Sequence, residues 1–156
     1  MYFEKFFVGQ TFIIEPFAIT REQIIDFAAS YDPLPLHLDE EYAKTTRFGG
    51  LISSGVLSFM SLWVHLVEEH DPFGDDMVAG KSNHMEWFAP TYPNDELRGT
   101  VTVTKLTKRN NYNGIIEIEI DGWNQDGTHT LHGGAEVIVR TALARADVKG
   151  GSPREP

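Results

Sequence analysis

Residues 56–67 read VLSFMSLWVHLV, the most apolar segment of the chain. Only Ser58, Ser61 and His65 interrupt it, and at helical spacing these three share one narrow stripe, so the segment predicts a helix apolar on almost every side. Such a helix is buried on almost every side. It falls short of the roughly 20 apolar residues that cross a bilayer. In a chain of 156 residues, the remaining way to bury it is to wrap a sheet around it.

The second half of the chain supplies that sheet. Val101 and Val103 alternate with Thr100, Thr102 and Thr104. Ile116, Ile118 and Ile120 alternate with Glu117, Glu119 and Asp121, and Ala135, Val137 and Val139 with Glu136 and Arg140. Strict alternation predicts strands with one dry and one wet face. Asn113-Gly114 and Asp126-Gly127 are turn signals between these runs, which predicts an antiparallel meander. A further strand is predicted over residues 82–90. Glu86 and Trp87 are read as residues of it.

The first half starts with a predicted strand over residues 11–18, TFIIEPFA, in which Pro16 marks an edge or a bulge. Thr20 and Gln23 have capping-box spacing, and Ile24, Phe27, Ala28 and Tyr31 recur at helical intervals until Pro33 ends the pattern. This helix delivers Asp32 at its C-terminal end. Asp39 caps a second predicted helix that runs to about Thr45. Between Asp32 and His37 lies a loop with prolines at 33 and 35. Proline fixes its own φ and biases the preceding residue away from helix, so Asp32 and Leu34 are expected to be extended and the step to His37 stiff. A stiff loop can hold an acid/base pair in register. Both residues could equally do no more than satisfy local backbone groups. Ser53 or Ser54 is an ordinary N-cap for the apolar helix, and Gly55 allows close packing at its start.

Residues 31–55, YDPLPLHLDEEYAKTTRFGGLISSG, resemble the MaoC-like hydratases and dehydratases, whose members include the (R)-specific enoyl-CoA hydratases. The family signature is Asp, any residue, Asn, Pro, any residue, His, an acidic turn and, further on, a Gly before a long buried helix. Asp32, Pro35 and His37 stand in the Asp, Pro and His places; Asp39 and Glu40 follow, and Gly55 matches the Gly. Leu34 occupies the Asn place, and Ser54 the place where many members carry His. Residues 87–97, WFAPTYPNDEL, resemble the family's Pro-Val-x-Pro-Gly-Asp-x-Leu turn with Asn94 replacing Gly. The likeness covers most of residues 5–142.

The resemblance implies an α+β hot-dog fold, a curled antiparallel sheet around a long buried central helix, in agreement with the periodicity. It also implies hydro-lyase chemistry, the addition of water to a 2-enoyl thioester or its removal from a 3-hydroxyacyl thioester. Asp32 and His37 would hold one water and exchange base and acid roles. The amide of Gly55, beside Ser54 and backed by the helix dipole, would hold the thioester oxygen as charge develops there. Leu34 would line the acyl groove. The substrate would arrive on CoA or an acyl-carrier protein, with no other cofactor and no metal, and Arg47 and Lys81 are candidates to meet CoA phosphates. Family members of this size usually complete the site across a homodimer or a dimer of dimers, which would also pair an exposed sheet edge. Hot-dog thioesterases commonly use a carboxylate on or beside the central helix, and between Gly55 and Val67 there is none. A noncatalytic acyl-thioester-binding subunit is a third reading, raised by Leu34 and Ser54.

With 41% hydrophobic residues, the chain fits a single domain over residues 1–146, followed by a polar tail, 147–156, expected to be disordered. The formal charge of −10 argues against a nucleic-acid partner. Without cysteine there is neither a disulfide framework nor a thiolate site. The N-terminus, MYFEKFFVGQ, has no apolar core of signal-peptide length, so cytoplasmic residence with no membrane association is expected. His129 and His132, three apart on a strand, are expected on opposite faces, a poor geometry for a shared metal. His65 is read as a hydrogen-bonded core residue, and His70 and His84 lack obvious partners.

Overall fold

The alternating runs pair with each other as their dry faces require. In the computed structural model, which describes residues 1–150, Val101 and Val103 of β3 (Glu96–Lys108) stand opposite Ile120 and Ile118 of β4 (Asn113–Asn124). Ile118 and Ile116 in turn face Ala135 and Val137 of β5 (His129–Arg140). All these side chains are buried. β1 (Thr11–Ala18) adds beside β3 and β2 (Met77–Trp87) beside β5, giving an antiparallel sheet in the order β1-β3-β4-β5-β2. Pro16 lies on edge strand β1 between Ile14 and Phe17, where the register shifts, so the edge and the bulge coincide. Gly127, at φ +76°, makes the predicted turn before β5. Asn113-Gly114, by contrast, opens β4 rather than forming a turn. A Cβ on Gly114 would meet the ring of Phe3 at 2.3 Å, so packing accounts for that glycine.

Helix α4 (Gly55–His70) lies against the sheet through Phe59, Leu62 and Leu66, all at most 1% exposed. Gly99 and Gly122 are paired across β3 and β4 beneath it, and a Cβ on either would come within 2.8–2.9 Å of a Leu62 methyl. The glycines therefore form a seat for Leu62. The sheet is not closed, however, and it covers only one side of α4. Val56, Met60, Val64 and Val67 form an apolar stripe, each between 37% and 44% exposed, which corrects the expectation of burial on almost every side.

β2 begins and ends earlier than the predicted 82–90. As an edge strand, it has no buried face to impose alternation on its sequence. Beyond Trp87, the N–H groups of Phe88 and Ala89 both donate to Thr130 O, at 2.9 and 3.3 Å. Helix α1 (Arg21–Tyr31) starts with the Thr20/Gln23 capping box, and α3 (Glu40–Thr45) is capped by Asp39. Between them, Pro35 opens a four-residue helix, α2 (Pro35–Leu38), where a loop was expected, and His37 sits on it. After β5, helix α5 (Ala142–Gly150) takes in residues 147–150 of the stretch read as a tail; residues 151–156 lie outside the described residues. Among the described residues, no helix is long and apolar enough to cross a membrane.

Candidate active site

His37 is 6% exposed, and its Nδ1 lies 2.7 Å from the carbonyl oxygen of Ile52. A carbonyl can only accept, so Nδ1 carries the proton and Nε2 is left facing Asp32. The Ile52 segment is itself fixed, because Ile52 N–H donates to Leu36 O and Ser53 N–H to Thr91 O. Asp32 is the C-cap of α1, its N–H bonded to Ala28 O. Its Oδ2 stands 3.4 Å from His37 Nε2 and accepts the Ser54 hydroxyl at 2.7 Å. α1, α2 and the entry to α4 thus each contribute one side chain to the same point. The Asp32 side chain keeps 30% of its surface exposed, so a reactant can reach the pair.

Ser54 occupies the N-cap position of α4, yet it accepts no helix N–H, because its hydroxyl is turned to Asp32. Its place in the signature, where many resembling proteins have His, is therefore filled by a donor to the acid. The N–H of Gly55 meets no acceptor among the described residues and carries the positive end of the α4 dipole. The indole of Trp87 lies directly on Gly55: a Cβ there would stand 2.3 Å from its Nε1 and Cε2. Only glycine admits the ring in this position.

A cavity of about 250 Å³ opens beside His37 and Gly55 and is lined also by Ser58, Trp87, Phe88 and Leu131 among others; Asp32 and Ser54 are not among its lining residues. Arg47 lies at this cavity with its guanidinium 4.8 Å from the Phe48 ring centre, and it makes no ion pair among the described residues. Lys81 is elsewhere. On β2 it donates to Glu136 Oε2 at 2.6 Å, and this bond holds the Glu136 carboxyl below its usual range. Leu34 is half exposed and is not part of the cavity lining. It is the extended N-cap of α2 and supplies no side-chain cap. Its N–H bonds Asp32 O at 2.7 Å across Pro33, a loop contact that does not depend on the side chain at 34. Asn94 has φ +64°, in the left-handed region, which explains why glycine suits that turn and why Asn can replace it.

The sequence reading missed the carbonyl of Ile52 and the wall formed by Trp87. Trp87 lay in plain view beside Phe88 and Pro90, but nothing in strand periodicity says which way the end of an edge strand turns. His129 and His132 also depart from expectation: both rings meet Asp121 Oδ1, at 2.8 and 2.9 Å. Between Gly122/Leu131 and Trp123/His129 the pairing skips Thr130, and this extra residue reverses the alternation so that the two histidines share a face. Among the described residues, no cluster of three or more His, Asp or Glu side chains has the arrangement of a metal site. His70, expected to lack a partner, bonds Ile13 O through Nε2 at 2.6 Å. His65 pairs with Glu69 and stacks on Phe17 at 3.9 Å.

The chain is similar to YdeM of Bacillus subtilis (strain 168), 34% identical over 145 residues spanning 90% of this chain and 99% of that protein. The structure of a MaoC-like dehydratase from Rhodospirillum rubrum superposes with a TM-score of 0.81 at 31% identity, over 90% of this chain and 97% of that one. An (R)-hydratase from A. caviae involved in PHA biosynthesis gives 0.71 at 27% identity, over 86% and 97%. Residues 6–123 match the MaoC like domain, and the chain belongs to the MaoC-like dehydratase family, with its hot-dog fold.

Proposed function

We propose that the protein is a hydro-lyase acting on acyl thioesters, an (R)-specific enoyl-CoA hydratase that adds water to a 2-enoyl thioester and removes it from the 3-hydroxyacyl product. The observation that carries this reading is the pair Asp32 Oδ2 and His37 Nε2, 3.4 Å apart, with the histidine tautomer set by Ile52 O. Two acceptors so placed suit a water that donates to both. The water oxygen bonds the carbon β to the carbonyl while the double-bond pair moves toward the thioester oxygen. One member of the pair takes the water's proton, and that proton, the only one the step supplies, is then passed to the α carbon. Gly55 N–H, at the start of α4, receives the charge that develops on the oxygen.

The Ser54 bond to Asp32 supports an intact site rather than a degenerate one. The substrate comes as a CoA or acyl-carrier-protein thioester, and Arg47 at the cavity is suited to a phosphate of its carrier. The working form is a homodimer. This is supported by the unpaired edge of β2 and by the exposed apolar stripe Val56, Met60, Val64 and Val67 on α4. Purified protein incubated with crotonyl-CoA should bleach the conjugated enoyl-thioester absorbance without releasing free thiol. Thiol release would make it a thioesterase, and binding with neither change a noncatalytic subunit.

A further inference from the structure

We propose that the indole N–H of Trp87 is a second donor to the thioester oxygen held by Gly55, which makes Trp87 a catalytic residue; this rests on the function proposed above. Its Nε1 lies 2.3 Å from where a Cβ of Gly55 would stand. A Cβ is about 2.5 Å from its own backbone nitrogen, so the two N–H groups are at most about 5 Å apart. Two donors that each sit about 2.7–3.1 Å from one oxygen can be separated by that much. Both residues line the cavity that holds His37, and neither N–H has an acceptor among the described residues. The Trp87 main chain is fixed on both sides, since Trp87 pairs with Leu131 at the end of β2 and the next two N–H groups are tied to Thr130 O, and the ring itself rests on Gly55. A donor held in this way needs no reorganisation as charge develops. The Gly55/Trp87 contact then has a chemical reason beyond packing, since any side chain at 55 would push the N–H away.

The test is Trp87→Phe, which keeps a flat aromatic wall and removes only the donor. Trp87 is 49% exposed, so the change leaves the core untouched. With crotonyl-CoA, kcat should fall by about 10-fold to 1,000-fold while KM moves by less than about threefold. Butyryl-CoA, saturated and unreactive, labelled with ¹³C at its carbonyl, gives a readout independent of turnover. Its bound C=O stretch should lie lower in frequency in the wild type than in Trp87→Phe. Trp87→His, which retains a ring N–H, should recover part of kcat. Unchanged kcat and C=O stretch in Trp87→Phe, or equal losses in the Phe and His variants, would overturn the assignment while leaving the hydratase reading in place. Wild-type protein that binds no acyl-CoA and hydrates no enoyl-CoA would overturn both.

Discussion

Replacing Ser54 by alanine removes one hydroxyl from a fully buried position and with it the 2.7 Å bond to Asp32 Oδ2. Hydrogen bonds to charged groups contribute about 1.5–3 kcal/mol. Asp32 keeps 30% of its side chain exposed, so water replaces part of what is lost and the lower end, about 1.5 kcal/mol, applies. Ser54 caps no helix N–H, so no capping loss adds to it. At about 2–4 °C per kcal/mol for a chain of this size, Tm should drop by about 3–6 °C. A carboxylate freed from Ser54 can rotate away from His37 Nε2. If the same free energy is missing from the transition state, kcat falls about tenfold. Thermal melts and steady-state hydration of crotonyl-CoA measure the two effects. A double-mutant cycle isolates the bond: in an Asp32→Ala background, Ser54→Ala should cost nothing further. An equal Tm loss in both backgrounds would refute the reasoning, because the hydroxyl would then act through something other than Asp32.

Asp32→Asn and His37→Gln should each lower hydration by about 100-fold to 10,000-fold with the fold retained by circular dichroism; a well-folded, active variant would remove that residue from the mechanism. Asn94→Ala should destabilise by about 1–2 kcal/mol, because alanine tolerates the +64° φ poorly, whereas Asn94→Gly should be neutral or stabilising in a urea melt. Light scattering at micromolar concentration should give a dimer mass, and Val64→Asp, which charges the exposed stripe of α4, should shift it toward monomer. A fully active wild-type monomer would contradict the shared-site reading.

The parts of the fold that were legible in the sequence are those where burial leaves a one-sided record. Val101, Ile118 and Val137 alternate because one face of each strand is dry, and Phe59, Leu62 and Leu66 recur because α4 lies on that face. β2 left no such record, being an edge with both faces exposed. The apolar positions of α4 record what must be covered, not by which chain, so the Val56–Val67 stripe read as core although this chain leaves it open. In the candidate site, Asp32 and His37 stood out through the likeness of residues 31–55 to the MaoC-like signature, since the residues alone left open that both only satisfy local backbone groups. The group that sets the His37 tautomer was not legible, since a backbone carbonyl has no letter of its own. Ser54 was legible as a helix start but not as a partner of Asp32, because a hydroxyl that can cap can also turn away. The convergence of His129 and His132 depends on one unpaired residue, Thr130, and strand periodicity assumes there is none.

The seat that Gly99 and Gly122 make for Leu62 has a consequence for how this chain can change over time. With a methyl of Leu62 already within 2.9 Å of where either Cβ would stand, neither glycine can grow while Leu62 keeps its size. Shrinking Leu62 alone would leave a void costing several kcal/mol, about 2–5 for a change to alanine. Positions 62, 99 and 122 are therefore coupled, and Gly99 is held further by the Asp121 carbonyl oxygen, 2.9 Å from where its Cβ would stand. Because α4 is a rigid rod, any drift at these positions that lifts the helix also lifts its first N–H, that of Gly55. The depth of a leucine in the core thus sets the height of the donor above the cavity, two turns of helix away.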